Sequence, residues 1–121
     1  MARVLVTGGS SGIGRATIDR LAQAGHLVIA TSRSKQEEIT NVEWHPLDLD
    51  TKKSVEAFCM SPLWDQRVDV VFNNAGFGLT APIESASETA IRTQFEANYF
   101  STMKITQKAM AHFREQSQGI L

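Results

Sequence analysis

Four short apolar runs set the rhythm of this chain. Residues 2–6, 27–31 and 68–72 are rich in Val, Leu and Ile, and residues 42–45 form a shorter run that stops near Pro46. Runs of this length, bounded by Gly, Pro and polar clusters, predict strands buried on both faces of a sheet. The segments between them carry helical spacing. Residues 13–24 place Ala16, Thr17, Leu21 and Ala24 on one side and Arg15 and Asp19 outward, with Gly25 as the C-terminal cap. Residues 51–60 predict a second helix capped by Asp50. Ser87 caps the longest helix, about residues 88–116, on which Ile91, Phe95, Tyr99, Thr102, Ile105, Ala109 and Phe113 form one stripe. Residues 32–41 are polar and predict a loop, Pro62 and Trp64 a connection, and residues 73–82 a glycine-containing loop. Ile120 and Leu121 read as the start of another strand. Strands and helices in this order predict one α/β domain over residues 1–121, with a doubly wound parallel sheet in the order 3-2-1-4 and a long C-terminal helix.

Composition narrows the role without naming it. The formal net charge is −1 over 121 residues, which argues against nucleic-acid or membrane-surface binding driven by bulk charge. Cys59 is the only cysteine, so neither an internal disulfide nor a cysteine metal cluster can form. His26, His45 and His112 are scattered, and no metal site is expected. No apolar run has the length of a signal-peptide core or a membrane span, so a cytoplasmic location is the expectation.

The chemistry concentrates in Thr7-Gly8-Gly9-Ser10-Ser11-Gly12-Ile13-Gly14, between the first strand and the first helix. Glycines there permit tight turns and close approach to a diphosphate. The helix start adds free N–H groups and a partial positive charge. Ser10 and Ser11 add hydroxyl donors. A nucleoside-triphosphate loop would need Gly-Lys-Ser/Thr at its end, and Gly14-Arg15-Ala16 does not supply it. A glycine-rich turn without a ligand is the plainer alternative on the loop alone.

With these residues the chain resembles the short-chain dehydrogenase/reductase family. The glycine loop matches its T-G-x-x-x-G-x-G, and Asn73-Asn74-Ala75-Gly76 matches its N-N-A-G after the fourth strand. Asp48 matches its adenine-ring aspartate, and Asn98 matches the asparagine of its catalytic tetrad. The resemblance implies a Rossmann-like fold, a nicotinamide cofactor, and hydride transfer between an alcohol and a carbonyl. It assigns the diphosphate to Gly8, Ser10, Ser11, Gly12, Ile13 and Gly14. It assigns the adenine to Asp48 and the N–H of Leu49, and the ribose side to Asn74, Ala75 and Gly76. Asn98 falls within the apolar stripe of the long helix, so its amide needs a partner: helix backbone, water or a catalytic neighbour.

The end of the second strand reads Ala30-Thr31-Ser32-Arg33-Ser34, with no acid. An acid there ordinarily takes the ribose hydroxyls, whereas Arg33 suits a 2′-phosphate. NADP(H) is therefore the expected cofactor, with NAD(H) left open through Glu37 and Glu38. The family's Tyr-x-x-x-Lys does not occur. Tyr99, the only tyrosine, precedes Lys104 by five residues, a step that turns the two side chains apart, and Tyr99 reads as core. The expectation is the cofactor-binding N-terminal part of such an enzyme, without turnover of its own. A non-catalytic dinucleotide-binding or interaction module is the alternative. A bare outer edge on the fourth strand, beside Val68, Val70 and Val71, together with Phe100 and Met103 on the long helix, points to self-association.

Overall fold

A computed structural model describes residues Met1–Leu121. Strands β1 (Arg3–Val6), β2 (Leu27–Ser32), β3 (Val42–Pro46) and β4 (Val70–Phe72) form one parallel sheet in the order β3-β2-β1-β4. This is the expected order. Helix α1 (Gly12–Gln23) crosses from β1 to β2, and α2 (Lys52–Cys59) with a short 3₁₀ turn at Pro62–Asp65 leads from β3 towards β4.

Register divides the strand side chains between two cores. Leu5 pairs with Ile29 and Val71 across the ladders. All three join Val55, Phe58, Trp64, Ile105 and Phe113 on one face. Val4, its partners Val28 and Val70, and Val6 turn to the other face, against Ile18 of α1. Alternation along each strand thus feeds both layers, and that is why the runs are continuously apolar. No helix is long and apolar enough to cross a membrane.

The helices depart from the expected faces in instructive ways. On α1 the buried residues are Gly14 and Ile18, while Ala16 and Ala24 are exposed and Arg15 pairs with Asp19. Gly14 packs on the glycine loop, and Ile18 lies one turn further on the same face. Thr51, not Asp50, is the N-cap of α2. The loop before it is tied instead by Asp48, whose Oδ1 accepts from the Asp50 N–H at 3.1 Å. Leu63 and Trp64 of the connection are core residues, with the Trp64 indole donating to the Phe58 carbonyl at 3.1 Å.

The long helix is one rod in three parts: α3 (Glu88–Phe95), a π-helical turn (Glu96–Ser101) and α4 (Thr102–Glu115). The wider turn shifts the helical phase. Ile105, Ala109 and Phe113 therefore meet the sheet, whereas Phe95 and Tyr99 are 57% and 54% exposed. Tyr99 is thus not core. The outer edge of β4 is not wholly bare either. Ile120 pairs with Val70 there, its carbonyl accepting from the Val71 N–H at 2.9 Å. Val68 lies before the strand and is fully buried.

Asp69 joins β4 to β1 at the opposite end of the sheet from the glycine loop. Its Oδ2 accepts from the Arg3 N–H at 2.8 Å, its own N–H donates to the Arg3 carbonyl at 2.9 Å, and Arg67 pairs with Oδ1. The Arg3 N–H and Arg67 together hold its carboxyl below the usual carboxylate range. A lowered folded-state value means stability that is complete above the unfolded pKa, about 4, and drains as pH falls through the folded one. Asp69→Asn is expected to lose about 1 kcal/mol at neutral pH, because the site is partly open to solvent. It should also flatten the loss of stability as pH falls below about 5, as read by urea unfolding across the acid range.

Candidate functional site

Open parallel sheets bind ligands beyond the carboxyl ends of their strands, where successive connections leave in opposite directions. Here β1 has β2 on one side and β4 on the other, and a cleft of about 390 Å³ opens at that end. Its walls are the loops after all four strands. Gly8, Ser10, Ser11 and Ile13 come from the first, Arg33 from the second, Asp48 and Leu49 from the third, and Asn74, Ala75 and Gly76 from the fourth. Ten of the twelve residues assigned to a dinucleotide from sequence thus line one cleft; Gly12 and Gly14 do not line it.

The glycine loop is tied on both sides. Towards β4, the Thr7 hydroxyl accepts from the N–H groups of Asn74 at 3.1 Å and Ala75 at 3.0 Å. The Asn74 amide donates to the carbonyls of Thr7 at 3.0 Å and Gly8 at 3.1 Å. Towards β2, Thr31 accepts from Gly8 N–H through its hydroxyl and from Gly9 N–H through its carbonyl. Thr7 and Thr31 are both buried, and sequence reasoning gave neither a role beyond its place in a motif or strand. Gly14 lets α1 approach this frame, since a Cβ there would strike the Gly8 carbonyl and sit 2.5 Å from the Asn74 amide nitrogen. Gly12 differs: it has φ of +57° and open space around it.

At the start of α1 the N–H groups of Gly12, Ile13 and Gly14 find no acceptor in the protein. The Ser11 side chain makes no capping bond, and no acidic residue occupies the first turn. Exposed orphan donors at a helix N-terminus form an anion site. A diphosphate fits this loop because the donors have no acceptor in the protein and no capping side chain occupies them.

The remaining residues occupy the rim. Arg33 is exposed and makes no side-chain hydrogen bond or ion pair. Next to it, the Ser32 hydroxyl accepts from the Ser34 N–H at 3.2 Å and from the Gln36 amide at 3.0 Å. Asp48 also accepts from the Thr51 hydroxyl at 3.3 Å, while Leu49 N–H has no partner. Asn98 corrects the sequence expectation of burial: it is exposed. The π-turn rotates it out of the stripe and towards the loop after β4. There its Oδ1 accepts from Phe77 N–H at 2.9 Å and its Nδ2 donates to Phe77 carbonyl at 2.5 Å. Gly76 makes room for this pairing, since a Cβ there would lie 2.8 Å from Asn98 Oδ1. Cys59 stays outside the site, in the core, where burial pushes its thiol up against the opposing pull of Lys104 and Lys108.

Comparison with known proteins agrees with this geometry. The family model described as short chain dehydrogenase matches residues 2–121, and the chain belongs to that family. It is similar to the 3-ketodihydrosphingosine reductase of Bacteroides thetaiotaomicron, 32% identical over 117 residues, covering 96% of this chain and 44% of that protein. The chain spans less than half the length of this curated relative. Two solved structures share the fold. A short-chain dehydrogenase from Sphingobium yanoikuyae in complex with NADPH superposes with a TM-score of 0.88, at 24% identity, over 99% of this chain and 52% of its own. One from Leptospira borgpetersenii with bound NAD+ gives 0.86, at 22% identity, over 98% and 49%. Structures of this fold thus hold either nucleotide.

The two glycines at the helix start should respond differently to alanine. Gly14→Ala drives its methyl group into the Gly8 carbonyl and is expected to lose about 1–3 kcal/mol. Gly12→Ala meets no atom and should lose only the left-handed backbone penalty, about 1 kcal/mol. Chemical denaturation of the two variants beside the parent chain checks the order.

Proposed function

We propose that this chain is the NADP(H)-holding, N-terminal part of an oxidoreductase that interconverts a carbonyl and an alcohol by hydride transfer. The observation that carries the reading is the uncapped start of α1, where the N–H groups of Gly12, Ile13 and Gly14 have no acceptor in the protein, beside a glycine loop. The relative from Bacteroides thetaiotaomicron is named as a ketone reductase, which supports the reaction class for the whole protein.

Each wall of the cleft has a part. Gly8, Ser10, Ser11, Gly12, Ile13 and Gly14 hold the diphosphate through backbone and hydroxyl donors. Asp48 accepts from the adenine amino group while Leu49 N–H donates to the ring. Arg33, free of competing carboxylates, pairs with a 2′-phosphate, and Ser32 and Ser34 stand beside it. Asn74, Ala75 and Gly76 border the ribose. A nicotinamide held there would supply the hydride. This chain's residues bind and orient it. Asn98 contributes by fixing the Phe77 backbone at the reacting end. A proton donor of the Tyr-x-x-x-Lys type does not occur among residues 1–121, so the expected activity of this chain is binding without turnover.

A non-catalytic binding module would use the same cleft. The reading frame after Leu121 separates the two: a serine followed by Tyr-x-x-x-Lys supports the enzyme. Self-association belongs to the same reading, since Phe95, Phe100 and Met103 stand exposed along the helix. Sedimentation velocity at micromolar concentration should show a dimer or larger species, and a monomer throughout overturns that part.

Cofactor choice has a direct test. Trp44 lies near the glycine loop, its ring about 3.2 Å from where a Gly9 Cβ would stand, and reports binding by fluorescence. NADPH is expected to bind about tenfold tighter than NADH, as one charge-assisted contact allows. Arg33→Ala should bring the two within about twofold without weakening NADH. No saturable response to either dinucleotide up to millimolar concentration overturns the cofactor reading, whereas tighter NADH binding overturns only the role of Arg33.

A further inference from the structure

One buried polar side chain in the long helix has no part in the reading above. Ser101 closes the π-turn and is 3% exposed. Helical serines and threonines ordinarily return their hydroxyl to a carbonyl one turn back. Thr17 and Thr93 do so here, bonding the carbonyls of Ile13 and Thr89. Ser101 does not. Its hydroxyl leaves the helix and donates to the Leu49 carbonyl at 2.6 Å, 52 residues away in the loop after β3.

The peptide unit that receives this bond is held at both ends. Its carbonyl belongs to Leu49 and its N–H to Asp50, and that N–H donates to Asp48 Oδ1 at 3.1 Å. The preceding loop is fixed as well, by the Asp48 N–H donating to the Ser54 hydroxyl at 2.9 Å. Between these anchors the Leu49 N–H has no acceptor in the protein, and both Asp48 and Leu49 line the cleft. A free donor therefore stands next to a carboxylate acceptor. Adenine offers the complement along one edge, with a ring nitrogen that accepts beside an amino group that donates. Hypoxanthine offers the reverse at both positions, an N–H and a carbonyl.

We propose that Ser101 is a positioning residue for purine selection, holding the Leu49–Asp50 peptide so that the Leu49 N–H and the Asp48 carboxylate meet adenine in the right order. The proposal rests on the cofactor reading above. Without the hydroxyl, the Leu49 carbonyl loses its only side-chain partner and the peptide is held from its Asp50 N–H end alone. The Leu49 N–H and the Asp48 carboxylate then lose their fixed relation, and an analogue with the opposite pattern is no longer refused.

The test uses the full chain and two ligands, NADPH and its deamino analogue, in which hypoxanthine replaces adenine. Binding is read from Trp44 fluorescence and by calorimetry. The parent chain should favour NADPH by about tenfold, in the range that paired hydrogen bonds provide. Ser101→Ala should cut that ratio below about twofold, with the loss falling on NADPH. Ser101→Thr, which keeps the hydroxyl, should restore it. Ile105→Val, one turn further along in α4, trims the core while keeping the Ser101 hydroxyl and should lower the melting temperature while leaving the ratio unchanged. Where Ser101→Ala melts too low to titrate, Ser101→Cys, similar in volume but a weak donor, makes the same comparison. A parent ratio retained in Ser101→Ala, or an equal fall in Ile105→Val, overturns the role of Ser101. Equal affinity of the parent chain for both ligands overturns purine selection and leaves the cofactor reading standing. No binding of either ligand overturns both.

Discussion

The site depends on one close approach, the packing of Gly14 against the backbone of Gly8. The start of α1 can lie against the end of β1 only because Gly14 carries no side chain into the gap. That approach sets the path of the glycine loop and leaves the first N–H groups of the helix without a capping group. The Asn74 amide then clamps the loop by taking both the Thr7 and Gly8 carbonyls. Donors left without partners in a folded protein are stable only where water or a ligand can reach them. The lack of protein acceptors at the start of α1 is thus the physical basis of the proposed anion site.

The rest of the cleft is built by ties between loops that are distant in sequence. Thr31 fastens the glycine loop to β2, and Thr7 fastens the loop after β4 to β1. The π-turn reaches both remaining walls, through Asn98 to the Phe77 backbone and through Ser101 to the Leu49 carbonyl. π-Turns recur at functional sites because the extra residue aims side chains that a regular helix would send elsewhere. Here it sends two polar side chains to opposite loops within four residues.

Stability and openness are separated along the strands. The carboxyl end of the sheet carries the orphan donors and the cleft. The amino end is closed by ion-paired and hydrogen-bonded groups, with Asp69 joining Arg3 to Arg67 and Glu43 adding a second partner for Arg3. Two packed cores, one on each face, hold the strands that connect these ends.

The sequence by itself determined the strand positions, the parallel order and most of the cleft. Continuous apolar runs report burial on both faces, and glycines at fixed offsets report backbone contact; both are local signals. It did not reveal which face α1 buries, because the helix is oriented by the Gly14 contact and Ile18 follows from it. Nor did it reveal the exposure of Asn98 and Tyr99, because uniform helical spacing cannot show where a helix widens into a π-turn. The N-cap position of α2 at Thr51 was hidden as well, since the nearby acid Asp48 ties the loop instead. The partners of Thr7, Thr31 and Ser101 were decided only by the tertiary structure. Each is a short polar side chain whose bond reaches a backbone group dozens of residues away, and such a bond exists only once the sheet and helices have packed.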